Sequence, residues 1–335
     1  MQAIVIALVQ GVTELFPVSS LGHSILVPAW IGGSWETLVT QSSQSDSGSS
    51  FYLAYIVALH CATALALLWF FRADWVRIIG GLFRSVVRTA RERELSVRDA
   101  DERLAWLLVL ATIPVGVTGL ALEHVFRTVF AKPVAASVFL FVNGLVLLLG
   151  ERARRGAEER DALTASRSLD GGAGVAVAEH AGASGDRPAA SGARSASELE
   201  AAVQSDRRIA AVSYRDGVLV GSLQVLALLP GISRAGITMV GGLWRGLTEE
   251  DAARFAFLLA TPVIFAAGVL KLPSLAGPAG DHIHGQVLVG AVVCGIAAYF
   301  SLRFLVRYFE TRTLKPFAVY CLIAGAASII RFAVA

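Results

Sequence analysis

Six long apolar segments constrain this chain of 335 residues more than any other feature of its sequence. Each holds about 20 residues with almost no charge, which is the length that a helix needs to cross a bilayer. The segments are Phe51–Phe71, Leu104–Leu122, Val134–Gly150, Ala252–Leu272, Gln286–Val306 and Pro316–Phe332. Because helices and closed barrels are the structures that satisfy their backbone in lipid, the pattern predicts an all-α integral membrane protein.

The composition supports this class and excludes others. Hydrophobic residues make up 55% of the chain and charged residues 16%, with a mean hydropathy of +0.63. Soluble domains normally carry about 25% charged residues, so an ordinary soluble enzyme and a disordered protein are both excluded. A net charge of +3 is too small to indicate a nucleic-acid partner, and none is expected.

The distribution of Lys and Arg predicts the orientation of the spans, since basic residues near span ends stay in the cytoplasm. The segments 28–50 and 273–285 contain neither Lys nor Arg. The segments 72–103, 151–211 and 307–315 are rich in Arg, with eight in the first of them. The latter three are therefore predicted to be cytoplasmic.

Two further apolar stretches, residues 3–27 and 217–244, are interrupted by Pro and Gly. The charge pattern places both ends of each stretch on one side of the membrane. We therefore predict two re-entrant helical hairpins, at residues 1–28 and 217–244. Irregular backbone at membrane depth is tolerated only beside protein or a water-filled cavity, so the two breaks indicate a shared interior site.

The two hairpins resemble each other at an offset of 214 residues, which aligns Gln10 with Gln224 and Ser19 with Ser233. Each hairpin is followed by three spans, and three crossings invert the second copy. The pattern predicts an inverted-topology repeat. The first repeat is residues 1–150, with spans 51–71, 104–122 and 134–150, and the second is residues 212–335, with spans 252–272, 286–306 and 316–332.

Two of the segments predicted to be cytoplasmic differ in composition from the apolar spans. Residues 151–211 are rich in Ala, Gly, Ser, Arg and Glu and poor in large apolar residues, which predicts a disordered insertion. Residues 74–103 are amphipathic and rich in Arg, which fits either an interfacial helix that touches anionic lipid or a solvated loop.

Ionisable groups inside apolar segments are functional candidates by default. Gln10 and Glu14 are four residues apart, so they share a helix face and could hold a divalent cation or orient water. Ser20 and His23 could form a nucleophile and base, or two phosphate contacts. His60 has no partner within its own segment, which favours a packing role.

The second hairpin carries Pro230, Gly231, Ser233 and Arg234 where a helix is predicted to begin, followed by Thr238. Gly lets backbone N–H groups approach an anion, and a helix start presents its positive end there. Arg adds a planar fork that matches phosphate oxygens, and the hydroxyls add donors. The alternative is that these polar residues pack between spans.

The two motifs resemble those of the undecaprenyl-diphosphatase family of the bacitracin-resistance type. That family carries Glu/Gln-x-x-x-Glu and then Pro-Val-Ser-Ser-x-Gly-His, which here runs from Gln10 to His23. Its second motif, Pro-Gly-x-Ser-Arg-Ser-x-x-Thr, runs here from Pro230 to Thr238, with Ala235 in place of the last Ser. The resemblance covers the whole chain except residues 151–211.

The resemblance implies a phosphatase of the bacterial plasma membrane, with six spans, two re-entrant hairpins and a catalytic pocket that opens to the outer face. It implies removal of the terminal phosphate from undecaprenyl diphosphate, which recycles the lipid carrier of peptidoglycan synthesis and gives bacitracin resistance. A divalent cation, Mg²⁺ or Ca²⁺, is expected to support the activity. The partners implied are a polyprenyl diphosphate, membrane lipid and a second copy of the chain in a homodimer.

The residue roles implied by the resemblance fall into three groups. The catalytic residues are expected to be Glu14, Ser20, His23 and Arg234. The diphosphate is expected to contact Ser19, Gly231, Ser233, Arg234 and Thr238. The metal is expected on Glu14 and, more weakly because an amide is a poorer ligand, on Gln10. Ser20, His23 and a water activated by Glu14 all stay open as the nucleophile. If Ser20 attacks, His23 and Glu14 both stay open as the base that takes its proton.

Two other classes of function compete with an enzyme. Inverted repeats with broken helices are typical of secondary transporters, so a transporter or flippase of polyprenyl phosphates is the main alternative. A structural membrane protein with packed polar residues is the other. A Ser and a His beside an Arg favour the enzyme, because binding and moving a phosphate needs no nucleophile.

Overall fold

A computed structural model describes residues 1–35, 51–94, 96–129, 132–170, 196–271 and 284–333. Helices are the regular elements throughout this part of the chain. The helices of the first half are α1 (Gln2–Thr13), α2 (Ser20–Ile31), α3 (Phe51–Phe70), α4 (Arg72–Glu92), α5 (Ala100–Val129) and α6 (Pro133–Asp170). Those of the second half are α7 (Ala196–Ala211), α8 (Tyr214–Leu223), a 3₁₀ helix (Gln224–Leu228), α9 (Arg234–Trp244), α10 (Glu249–Lys271), α11 (His284–Phe309) and α12 (Lys315–Ala333).

Several of these helices are long and apolar enough to cross a membrane. Five described helices meet that condition, namely α5, α6, α10, α11 and α12, and a sixth span is reached if the bent pair of α3 and α4 counts as one. The prediction of an all-α integral membrane protein is confirmed. The shorter apolar helices α1 and α2 belong to the first predicted hairpin, and their re-entrant path stays a prediction.

Helix α4 leaves α3 at an angle of 86°. One face of α4 is buried at Asp74 and Ile78, while Val76 and Phe83 are exposed on another face. The helical interpretation of the segment 74–103 is therefore confirmed as far as Glu92. Contact of this helix with anionic lipid stays a prediction.

The prediction that residues 151–211 are disordered is wrong at both ends of that segment. Helix α6 continues past the expected span to Asp170, and α7 begins at Ala196. Asp206 of α7 is buried and forms ion pairs with Arg77 at 2.5 Å and with Arg254 at 2.8 Å. Composition alone missed this order because a few buried charges, paired across helices, replace the apolar side chains that α7 lacks. Residues 171–195 lie outside the described part of the chain.

Helix packing places the two halves of the chain side by side. Helix α1 packs on α11, and α8 packs on α5. Both contacts are close at a glycine, because a Cβ on Gly11 would lie 2.5 Å from the carbonyl oxygen of Cys294, and one on Gly221 would lie 2.0 Å from that of Ala111. The inverted repeat itself stays a prediction. Its symmetry would relate α1 to α8 and α11 to α5, so the two helix pairs would be equivalent.

Candidate active site

The breaks in the two predicted hairpins lie against each other. The first loop is residues 14–19, between α1 and α2, and the second loop is residues 229–233, between the 3₁₀ helix and α9. The Ser19 hydroxyl oxygen accepts hydrogen bonds from the N–H groups of Gly22 at 3.2 Å and Gly231 at 3.1 Å. One buried hydroxyl therefore links the two loops.

Each of the two loops ends in a serine that caps the next helix, and the two caps have the same form. Ser19 caps α2 by accepting from Gly22 N–H, and Ser233 caps α9 by accepting from Gly236 N–H at 3.2 Å. A serine in this position satisfies one of the N–H groups that a helix start leaves unpaired. Because the loops touch, α2 and α9 begin close together, and the positive ends of both helices lie at one place.

Asn143 of α6 is a third link, and the sequence analysis missed it. Its side-chain NH₂ donates to the carbonyl of Pro17 at 3.0 Å, and its side-chain oxygen accepts from the N–H of Ser233 at 3.0 Å. The residue is fully buried. The available signal was a lone amide in the middle of an apolar span, which has to find partners in the protein interior.

Four side chains converge on the buried carboxylate of Glu14. Gln10 donates to its Oε2 at 3.0 Å, and the Ser20 hydroxyl donates to the same oxygen. The Nε2 of His60 lies 3.4 Å from Oε2, and Arg234 lies 3.5 Å from Oε1. The groups come from four helices, α1, α2, α3 and α9, so the fold assembles this cluster from distant parts of the chain.

Two polar atoms of the cluster are buried and have no hydrogen-bond partner among the described residues. They are the Nη1 of Arg234 and the Oε1 of Gln10. An unpaired buried polar atom costs about 1–3 kcal/mol, and beside the Glu14 carboxylate these two atoms are available to a ligand. The guanidinium nitrogen suits an anionic oxygen, and the amide oxygen suits a cation or a donor.

His23 has partners other than the expected one. Its Nδ1 lies 2.7 Å from the carbonyl oxygen of Ser19, and its Nε2 lies 2.7 Å from the hydroxyl of Tyr320. The predicted pairing of Ser20 with His23 is not formed, because both ring nitrogens are occupied and the Ser20 hydroxyl contacts Glu14. The Glu14 carboxylate is therefore the group that accepts the hydrogen bond of the Ser20 hydroxyl.

His60 contacts the cluster, whereas the sequence favoured a packing role. Its Nε2 also lies 3.2 Å from the side-chain nitrogen of Gln10, and its Nδ1 lies 2.8 Å from the carbonyl of Ile56. Its side-chain partners, Gln10 and Glu14, come from α1 and the first loop, so its own segment gave no hint of them. The signal was the ionisable ring itself in the middle of a span.

The remaining predicted residues lie in or beside the second loop. Gly231 has a φ of 117°, and a Cβ there would lie 2.5 Å from the carbonyl oxygen of Ala136. Glycine is therefore required at this position for both conformation and space. Thr238 is buried in α9, one turn beyond Arg234.

The donor set of the cluster bears on the expected cation. No group of three or more His, Cys, Asp or Glu side chains that could hold a metal occurs in the described ranges. Glu14, Gln10 and Ser20 offer oxygen atoms, with one carboxylate among them. One carboxylate fits a loosely held Mg²⁺ or Ca²⁺ that takes further ligands from a phosphate, and it does not fit a structural zinc site.

Comparison with known proteins finds relatives over nearly the whole chain. The family model described as bacitracin resistance protein BacA matches residues 3–327. Undecaprenyl-diphosphatase 2 of Frankia alni is 55% identical, covering 100% of this chain and 98% of that protein. Undecaprenyl-diphosphatase of Mycolicibacterium paratuberculosis is 52% identical, covering 98% and 96% respectively.

A more distant relative shares the same name. Undecaprenyl-diphosphatase 2 of Burkholderia lata is 41% identical over 96% of this chain and 92% of that protein. The family expected from the two motifs is confirmed over nearly the full length. This chain belongs to the bacitracin resistance protein BacA family.

Proposed function

We propose that this chain is an undecaprenyl-diphosphatase, which hydrolyses undecaprenyl diphosphate to undecaprenyl phosphate and phosphate. The activity recycles the lipid carrier of peptidoglycan synthesis and confers bacitracin resistance. The observation that carries the proposal is the buried carboxylate of Glu14, which contacts both the Ser20 hydroxyl and the Arg234 guanidinium. The names of relatives with 41% to 55% identity support the same reaction.

The diphosphate binds where the two capped helices begin. The unpaired Nη1 of Arg234 donates to a phosphate oxygen, and the starts of α2 and α9 add backbone N–H groups and positive partial charge. Ser19 and Ser233 act chiefly by holding the loops, because their hydroxyl oxygens accept the cap hydrogen bonds. Thr238 lies one turn further along α9.

Ser20 attacks the terminal phosphorus while Glu14 accepts the hydroxyl proton. A bond forms between the serine oxygen and phosphorus, and the bond from phosphorus to the bridging oxygen breaks. Undecaprenyl phosphate leaves with the electron pair of that bond. Water then attacks the phosphoserine and releases phosphate, and the proton held by Glu14 returns to the Ser20 oxygen.

Two other nucleophiles have weaker support. A water activated by Glu14 would leave Ser20 as a hydrogen-bond donor to the carboxylate. His23 as the nucleophile would first have to break its contact with either Ser19 or Tyr320. We therefore assign His23 a positioning role for the first loop.

A divalent cation, Mg²⁺ or Ca²⁺, would be held by Glu14 and by the unpaired Oε1 of Gln10, together with substrate phosphate. When bound, the cation neutralises charge on the phosphate oxygens. The single carboxylate and the nearby Arg234 favour weak binding that depends on substrate.

We further propose that the site opens to the outer face of the bacterial plasma membrane. The Arg-rich segments 72–103 and 307–315 support this orientation, because they are expected in the cytoplasm. The diphosphate would then enter from the outer leaflet while the prenyl tail stays in lipid.

Release of phosphate from a C55 diphosphate by the purified full-length chain in detergent tests the proposed function. We expect release by the wild type and its loss in Glu14→Ala and Arg234→Ala. A flippase would instead move the lipid in vesicles without releasing phosphate, and that result would contradict the proposal.

A further inference from the structure

A groove at the end of α11, outside the cluster around Glu14, has no role in the proposed reaction. Its volume is about 440 Å³. Aromatic and basic side chains dominate its lining: Phe300, Phe304, Tyr308, Arg303, Arg307 and Arg312. It lies at the end of the span that the distribution of Arg and Lys places in the cytoplasm.

The spacing of these residues forms two stripes on one side of α11. Phe300, Phe304 and Tyr308 recur every fourth residue, and so do Arg303 and Arg307. Residues four apart lie above one another on a helix, so an aromatic stripe runs beside a basic one. Both stripes line the same groove.

The three arginines are exposed, and none forms an ion pair with an acidic residue in the described part of the chain. Glu310 lies between Arg307 and Arg312 in sequence and forms no ion pair with them in the described residues. By contrast, most of the buried acidic residues on the cytoplasmic side, such as Asp206, are paired with arginine. The guanidinium groups of the groove therefore remain available to an anionic ligand.

The aromatic stripe continues as an exposed apolar stripe towards the middle of the span. Val292 is 54% exposed, Ile296 55% and Phe300 61%. The stripe from Val292 to Tyr308 is about 24 Å long at the rise of an α-helix. A ligand that fits this surface has an anionic head and a long apolar chain, which a soluble peptide or a nucleic acid does not have.

We propose that this groove binds an anionic phospholipid of the cytoplasmic leaflet. The phosphate lies at Arg307 and Arg312, and an acyl chain follows the stripe from Phe304 to Val292. Arginine suits this role because its planar fork binds two phosphate oxygens at once. The groove lies beside the first loop, since the ring of Phe304 stacks on Phe16 at 5.9 Å.

Native mass spectrometry of the full-length chain, offered equal amounts of phosphatidylglycerol and phosphatidylcholine, tests the proposal. We expect the wild type to retain phosphatidylglycerol at least about fivefold better. The variant Arg303→Gln/Arg307→Gln/Arg312→Gln should lose this preference. The control Arg152→Gln/Arg207→Gln/Arg215→Gln removes three exposed arginines elsewhere and should keep it.

Three results would overturn the assignment. They are equal retention of both lipids by the wild type, an unchanged preference in the groove variant, and displacement of the lipid by an excess of inorganic phosphate. The last would identify the ligand as free phosphate. Gel filtration and the unfolding midpoint establish that each variant is folded.

A second measurement needs no variant. A photoactivatable phosphatidylglycerol in vesicles of phosphatidylcholine should label a peptide within residues 292–312 of the wild type. Labelling confined to other helices would place the anionic lipid elsewhere and contradict the proposal.

Discussion

The first and second loops share a framework and differ in their chemistry. In each, a serine caps the following helix through the N–H three residues later, at Ser19 and at Ser233. The next residue differs, because Ser20 begins α2 and Arg234 begins α9. The framework that positions a helix start is common to both loops, whereas the reacting groups are specific to one.

The carboxylate of Glu14 is a second difference between the two loops. Glu14 belongs to the first loop, and its counterpart at the offset of 214 residues is Leu228. In the proposed reaction, the first loop and the start of α2 supply the base Glu14 and the nucleophile Ser20, and the start of α9 supplies Arg234, which binds phosphate. A site of this kind needs both loops, and mutations should separate the framework from the chemistry.

The largest effect is expected from Glu14→Gln, which keeps the shape of the side chain and removes its charge. We expect the rate of phosphate release to fall about a thousandfold, because the base in contact with Ser20 is lost. The measurement is kcat with a C55 diphosphate. Glu14→Asp is the control and should keep more activity, while wild-type activity in Glu14→Gln would contradict the assignment.

Arg234→Gln should lower kcat/KM about a hundredfold, since the phosphate loses its fork of donors. Arg234→Lys should recover part of the loss, because it restores the charge without the planar geometry. Arg245→Gln, at the exposed other end of α9, is the matched control. If Arg234→Gln and Arg245→Gln behaved alike, the second loop would not bind the phosphate.

The two cap serines should affect stability in a defined order. We expect Ser233→Ala to cost about 1 kcal/mol and Ser19→Ala about 2 kcal/mol, because Ser19 accepts two hydrogen bonds and links the loops. Unfolding midpoints in detergent measure the difference. Ser24→Ala is the control, since the Ser24 hydroxyl is buried without a partner in the described structure. An equal loss in all three variants would rule out the cap argument.

The smallest expected effect is a difference in kcat between variants of Gln10 and Gln224, the two glutamines that the predicted repeat aligns. Gln10 donates to Glu14, whereas both side-chain polar atoms of Gln224 are buried without a partner in the residues described. Gln10→Leu should lower kcat about tenfold. Gln224→Leu should leave kcat and the unfolding midpoint nearly unchanged. A large loss of kcat in Gln224→Leu would show that the two halves contribute more equally.

The sequence predicted the membrane class and the two loops because both depend on local patterns. Apolar runs of sufficient length form spanning helices, and Pro, Gly and Ser mark the places where helices stop and start. The order in α7 escaped prediction, because it depends on ion pairs with helices far away in sequence, such as that between Asp206 and Arg254.

The residues of the site were predicted from the sequence, whereas their pairings stayed open. Glu14, Ser20 and Arg234 meet as expected. The sequence left His23 and Glu14 open as the partner of Ser20, and the fold brings Glu14 to Ser20 and Tyr320 to His23. Side-chain pairs across helices depend on tertiary packing, and a local motif does not specify it.

The central claim is that Ser20 and Glu14 act together as nucleophile and base. The most direct measurement is the rate of phosphate release by Ser20→Ala at saturating substrate, with folding checked by gel filtration. The account predicts a fall of at least about a hundredfold, together with phosphoserine at Ser20 in rapidly quenched wild type. A wild-type rate in Ser20→Ala would contradict it.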